Sequence, residues 1–83
     1  MSEPSTFRVL YFGLLAEKRG RSDEQISSSM KTVSDLYAEL DGKHGLSLKP
    51  ENFRAAVNDE FVAWDAGIVS GDVVAFLPPM SGG

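Results

Sequence analysis

The residues best suited to chemistry in this 83-residue sequence stand at its end, and they are Pro78, Pro79, Met80, Ser81, Gly82 and Gly83. Two successive prolines favour a stiff, extended exit, because each fixes φ and neither can donate to a sheet ladder. Gly82 and Gly83 carry no Cβ, so a terminal carboxylate can pass down a channel too narrow for other residues. We therefore predict that residues 78–83 form a flexible functional tail whose reactive group is the Gly83 carboxylate.

Other reactive side chains are scarce. The sequence has no cysteine and one histidine, His44, which excludes thiolate chemistry and zinc motifs that need two histidines. The adjacent acidic pairs at residues 23–24 and 59–60 are typical of solvated turns and strand ends. We therefore expect no metal site, no bound cofactor and no enzyme chemistry of this chain's own.

Composition indicates one globular domain over residues 1–83, with 42% hydrophobic and 24% charged residues. The net charge of −4 argues against nucleic acid or an anionic membrane and favours a basic protein partner. No apolar run approaches the roughly 18 residues that span a bilayer, and residues 1–5 do not resemble a signal peptide. We expect a cytoplasmic protein.

Two nearly continuous apolar runs, residues 7–12 and Val73–Leu77, predict central strands covered on both faces. A short connector helix over Leu14–Arg19 follows the first run and stops at Gly20. The main helix is predicted by a stripe with helical spacing, begins after Thr32 as N-cap and ends near Asp41. The stripe consists of Val33, Leu36, Tyr37 and Leu40.

The remaining strands are predicted at residues 25–28, as a polar edge strand, and at residues 53–57 and 60–64, as a hairpin turning at Asn58 and Asp59. The order of elements predicts an α+β fold of the β-grasp, or ubiquitin-like, type, with a mixed sheet of about five strands. Phe61 and Trp64 are expected at the core edge, where a hairpin aromatic can also serve an interface. Phe76, Leu77 and Met80 are expected at a partner interface beside the tail.

Three blocks of sequence resemble the small, sulfur-carrier subunits of molybdopterin synthase. The first is residues 71–83, with Phe76, Leu77, Pro78 and Pro79 before the two glycines. The others are residues 9–13, followed by Leu15, Glu17 and Gly20, and residues 55–58 before the hairpin turn. Met80 departs from the family pattern, where a β-branched residue is more usual, and residues 1–5 are an additional leader.

The resemblance implies a carrier cycle. A ubiquitin-activating-like adenylyltransferase uses ATP to adenylate Gly83, and a sulfur donor protein then converts the adenylate to a thiocarboxylate. The tail, from Pro78 through Gly82, threads into the large subunit of molybdopterin synthase. There the sulfur passes to a cyclic pterin precursor during molybdenum cofactor biosynthesis, and the resemblance implies that the catalytic side chains lie on the large subunit.

Other classes of function remain open. A sulfur carrier for thiazole (thiamine) synthesis is the nearest alternative, although the Phe76-Leu77-Pro78-Pro79 stretch favours the molybdopterin branch. A ubiquitin-like protein modifier would form adducts through Gly83 on other proteins. A plain interaction domain would tolerate changes in the tail.

Overall fold

The structure, a computed structural model, describes residues 4–47, 49 and 53–77. Seven elements follow one another along the chain: β1 (Ser5–Tyr11), α1 (Leu14–Arg19), β2 (Asp23–Ser28), α2 (Val33–His44), β3 (Arg54–Val57), β4 (Glu60–Val62) and β5 (Val73–Leu77). No helix within the described ranges is both long enough and apolar enough to cross a membrane.

The five strands form one mixed sheet in the order β2-β1-β5-β3-β4. The first and last strands, β1 and β5, lie side by side in the middle and run parallel, whereas the other neighbouring strands are antiparallel. This confirms the β-grasp prediction and the central position of the two apolar runs. The C-terminal end of β5 therefore lies between β1 and β3, in the middle of the strand order.

Helix α2 packs its predicted stripe, Val33, Leu36, Tyr37 and Leu40, into the core. Its N-terminus is capped as expected, because the Thr32 hydroxyl accepts a hydrogen bond from the Asp35 amide at 3.2 Å. The helix runs past the expected end at Asp41 to His44. Gly45 supplies the actual stop, since its φ of 62° is left-handed and its amide donates to the Asp41 carbonyl.

The helical layer covers one face of the sheet. Phe7, Val9 and Tyr11 of β1 and Val74 and Phe76 of β5 point into the core under α2, and the alternate side chains point to the other face. On that second face the described residues place no helix. The prediction that both central strands are covered on two faces therefore holds only in part. Along β1, Arg8 is exposed and Leu10 is half-buried, whereas along β5 Ala75 is buried between the half-buried Val73 and Leu77.

The hairpin between β3 and β4 turns at the predicted residues. Asn58 and Asp59 have φ values of 52° and 73°, the left-handed pair that suits a tight two-residue turn. Strand β4 ends at Val62, two residues earlier than expected. Trp64 lies after the strand and packs against the core.

A buried ion pair fastens α1 to the sheet. The Arg19 guanidinium donates to both carboxylate oxygens of Glu24, at 2.9 and 2.7 Å, and the Tyr11 hydroxyl donates to the same carboxylate at 2.6 Å. The Glu24 side chain is nearly buried, at 8% exposure. The bond from Arg19 lowers the pKa of Glu24, and burial, with the bond to Glu24, raises the pKa of Tyr11.

This ion pair predicts a pH-dependent part of the free energy of unfolding. The folded-state pKa of Glu24 lies below its ordinary value of 4.5, so its stabilisation is complete above that value and is lost as pH falls through the folded-state pKa. At pH 7 we expect Glu24→Gln to lower the free energy of unfolding by about 1.5–3 kcal/mol, because a charge-assisted bidentate pair is lost.

Urea unfolding from pH 7 to pH 3 measures this effect, with Glu17→Gln on the exposed side of α1 as the control. The difference between the Glu24→Gln and wild-type proteins should shrink at low pH, and the control should follow the wild type. A difference that stays constant over the whole range would contradict the assignment.

Candidate functional site

The tail begins directly after a strand held on both sides. Leu77 ends β5 and pairs across to Arg54 of β3, while Phe76 pairs to Ala55 of β3 and to Tyr11 of β1. The predicted tail residues lie outside the described residues: Pro78, Pro79, Met80, Ser81, Gly82 and Gly83. Their roles, including that of Met80 at the interface, stay predictions. The fold places the residue before them at the middle of the sheet.

Phe76 anchors this exit. Its side chain is 0% exposed and its ring packs against Tyr37 at 5.4 Å, Trp64 at 6.0 Å and Tyr11 at 6.5 Å between centroids. The expectation that the Phe76 side chain contributes to an interface surface is therefore corrected, because a completely enclosed ring has no surface to offer. It holds the last strand in place, and Leu77 points to the opposite face.

An apolar surface lies on the sheet face opposite α2 and includes Leu77. We call it the open face, and its members are Leu10, Phe12, Ala56, Phe61, Val73, Ala75 and Leu77. With Asp59 these residues line a groove of about 190 Å³. Each of the strands β1, β3, β4 and β5 contributes a residue because its outward positions alternate with core positions. The groove continues to the last residue before the tail.

Two aromatic residues of the open face are conspicuous. Phe61 is 62% exposed and Phe12 is 42% exposed, although large aromatic side chains are usually well buried. The sequence predicts both Phe61 and Trp64 at the core edge, where a hairpin aromatic can also serve an interface. The structure separates them, because Trp64 stacks on Phe76 within the core while Phe61 faces outward. The role of Phe12 in this surface was missed, since it was assigned to the buried strand.

Charges of both signs border the open face. Asp59 lies in the groove, and Glu60 follows it at the start of β4. The Arg54 guanidinium stands over the Phe61 ring at 5.3 Å, and Arg8 forms an ion pair with Asp23 at the far side. Among the described residues no group of three or more histidine, aspartate or glutamate side chains is placed to hold a metal ion. The site is thus an apolar surface with a charged border beside the chain exit.

Similarity to known proteins covers nearly the whole chain. The model of the ThiS family matches residues 9–83. The molybdopterin synthase sulfur carrier subunit of Escherichia coli K12 is 33% identical over 79 residues, which cover 92% of this chain and 98% of that protein. Residues 9–83, which the family model matches, include the open face and the tail.

Solved structures agree with the fold. SAMP1 from Haloferax volcanii superposes with a TM-score of 0.77 at 26% identity, covering 95% of this chain and 100% of that one. A chain in the complex of subunits 1 and 2 of the molybdopterin-converting factor from Helicobacter pylori is also similar. That comparison gives a TM-score of 0.65 at 26% identity and covers 94% of this chain and 99% of that one. With a family model matching residues 9–83 and this shared architecture, the chain belongs to the ThiS family.

Proposed function

We propose that this protein is the sulfur carrier subunit of a molybdopterin synthase and that its reactive group is the carboxylate of Gly83. The observation that carries the proposal is the family match, which extends through residue 83 and so includes both terminal glycines. The relative from Escherichia coli, named as a sulfur carrier subunit, supports the molybdopterin branch. The position of the chain exit beside an apolar docking surface is consistent with a tail that must enter a partner.

The chemistry begins with activation, because a free carboxylate is a poor electrophile. An adenylyltransferase joins the Gly83 carboxylate to the α-phosphate of ATP, with release of pyrophosphate, and creates a good leaving group. A sulfide-level nucleophile (HS⁻) delivered by a donor protein then attacks the acyl carbon and displaces AMP, so that a C–S bond replaces the C–O bond and a thiocarboxylate remains. In the large subunit the thiocarboxylate sulfur is transferred to a cyclic pterin precursor. ATP is thus a substrate of the activating enzyme, and this chain binds no cofactor of its own.

The open face is the proposed docking surface for the large subunit. It is apolar, it is uncovered by the described part of the chain, and it ends at Leu77, where the tail begins. Binding there would remove the exposed rings of Phe12 and Phe61 from water while presenting the tail to the partner. The complex of subunits 1 and 2 formed by the protein from Helicobacter pylori supports a partner of this type.

A protein modifier is the second candidate function. The observation in its favour is the similarity to SAMP1 of Haloferax volcanii, also named small archaeal modifier protein 1. The two functions share activation of a terminal glycine and differ in the acceptor, which is a small molecule for a carrier and a protein amine for a modifier. Adducts of higher mass on other proteins would identify a modifier.

Intact-mass analysis tests the carrier function. The full chain is incubated with ATP, the activating enzyme and a sulfur source, and we expect replacement of one oxygen by one sulfur. Addition of the large subunit and the pterin precursor should then return the carrier to its carboxylate form. A chain that acquires no sulfur, or that keeps its sulfur in the presence of both, would overturn the proposal.

Changes to the tail should separate chemistry from folding. Deleting Gly82 and Gly83 removes no side chain, so the free energy of unfolding should change by less than about 0.5 kcal/mol, whereas sulfur loading should be abolished. Extending the chain beyond Gly83 should abolish loading as well, because the carboxylate becomes an amide. Gly82→Ala adds one methyl group and should slow loading at unchanged stability. Melting curves and intact mass report the two properties, and full loading of the truncated protein would refute the assignment of Gly83.

Polar substitution on the open face should weaken the complex with the large subunit. We expect Phe61→Ser to cost about 1–2 kcal/mol of binding, roughly a fivefold to thirtyfold loss of affinity, because a ring that is mostly exposed becomes buried on docking. Val69→Ser is the matched control, since Val69 is 68% exposed and lies outside the groove. Leu77→Ala probes the same surface beside the tail. Isothermal titration calorimetry measures each affinity, and equal affinities for the Phe61 and Val69 variants would exclude this docking surface.

A further inference from the structure

Arg54 differs from the other arginines of the chain in its partners. The side chains of the other three arginines each have an acceptor within the chain: Arg8 and Arg21 bond to Asp23, and Arg19 bonds to Glu24. Among the described residues no carboxylate or carbonyl oxygen accepts a hydrogen bond from the Arg54 side chain. Its guanidinium carbon lies 5.3 Å from the centroid of the Phe61 ring. Its guanidinium donors are therefore directed to solvent or to a group outside the described chain.

The position of Arg54 is as unusual as the lack of an acceptor for it within residues 4–47, 49 and 53–77. Its Cα pairs with that of Leu77, the last described residue before the tail. The Phe61 ring beneath the Arg54 guanidinium lines the open-face groove. It also lines a second groove of about 360 Å³, together with Arg54 and Trp64. The cation thus stands at the border between the proposed docking surface and the start of the tail.

The position of the Arg54 guanidinium over the Phe61 ring leaves its donors available for a bidentate contact. A guanidinium interacts with an aromatic ring through its face, while its five N–H donors lie in its own plane and remain available. Holding the long side chain over the ring also reduces the rotamer entropy that a later contact would cost. Carboxylates match the planar donor pattern of arginine in two parallel hydrogen bonds.

We propose that Arg54 receives a carboxylate of the large subunit, from an aspartate or glutamate beside the opening that admits the tail. This inference rests on the proposed function and names a specific contact within it. The chain carries a net charge of −4, and Asp59 and Glu60 directly precede Phe61 in sequence, so the facing surface is expected to be mainly basic. A single partner carboxylate opposite Arg54 would then define the register of docking. In a shifted arrangement this carboxylate would face the acidic side chains of Asp59 and Glu60 and be repelled.

Charge reversal at Arg54 tests the contact. We expect Arg54→Glu to weaken binding of the full-length chain to its own large subunit by about 30-fold or more, and Arg54→Lys to weaken it by about threefold to tenfold. Arg21→Glu is the matched control, because it changes the net charge equally at an exposed arginine outside both grooves. The control should show only the smaller effect of net charge. Thermal unfolding of each variant verifies that the fold is retained.

Rescue identifies the partner group. Aspartates and glutamates around the tail opening of the large subunit are changed singly to lysine, and one such change should restore the affinity of Arg54→Glu at least tenfold while weakening that of the wild type. Equal affinities for Arg54→Glu and Arg21→Glu would overturn the proposal, as would tighter binding of Arg54→Glu. Failure of the wild-type chain to bind the large subunit would instead overturn the proposed function, so the two failures are distinguishable.

Discussion

Packing around Phe76 connects the stability of the fold to the position of the tail. Its ring contacts Tyr11 from β1, Tyr37 from α2 and Trp64 from the segment after β4. These contacts join parts of the molecule that are far apart in sequence, and they meet on the penultimate residue of the last strand. Because the ring is completely enclosed in a closely packed core, these contacts fix the position of Phe76 and of the strand end next to it.

One strand therefore serves two surfaces. Along β5 the inward positions, Val74 and Phe76, complete the core, and the outward positions, Val73, Ala75 and Leu77, belong to the open face. On the face opposite the helical layer these outward side chains are half-buried at Val73 and Leu77 and buried at Ala75. In a purely structural domain they would be polar, so their apolar character is informative about function. The acidic net charge offsets the tendency of this surface to self-associate, because like-charged molecules repel.

Prediction from sequence succeeded where the determining interactions are local or periodic. The stripe on α2, its Thr32 cap and the Asn58–Asp59 turn depend on residues within a few positions of one another. The central pairing of β1 and β5 also followed, because no other strands are so apolar. Coverage of the second face was predicted only in part, with Ala75 buried and Arg8 exposed, since it depends on which side chains from other strands lie beside each position. The burial of Trp64 and the exposure of Phe61 could not be predicted for a related reason. Which of the two aromatic residues contacts Phe76 depends on the residue at which β4 ends and on the path of the chain after it.

The tail imposes a final constraint on any carrier built this way. In the proposed carrier cycle, activation and sulfur transfer take place in different proteins, and each holds Gly83. Because the open face adjoins the start of the tail, a partner that encloses the tail also approaches Leu77 and Phe61. A single tail cannot occupy two active sites, so the partners must bind in turn and each complex must dissociate. A docking surface of a few exposed rings with one oriented cation suits such exchange, because it gives specificity through charge and geometry without a large buried area.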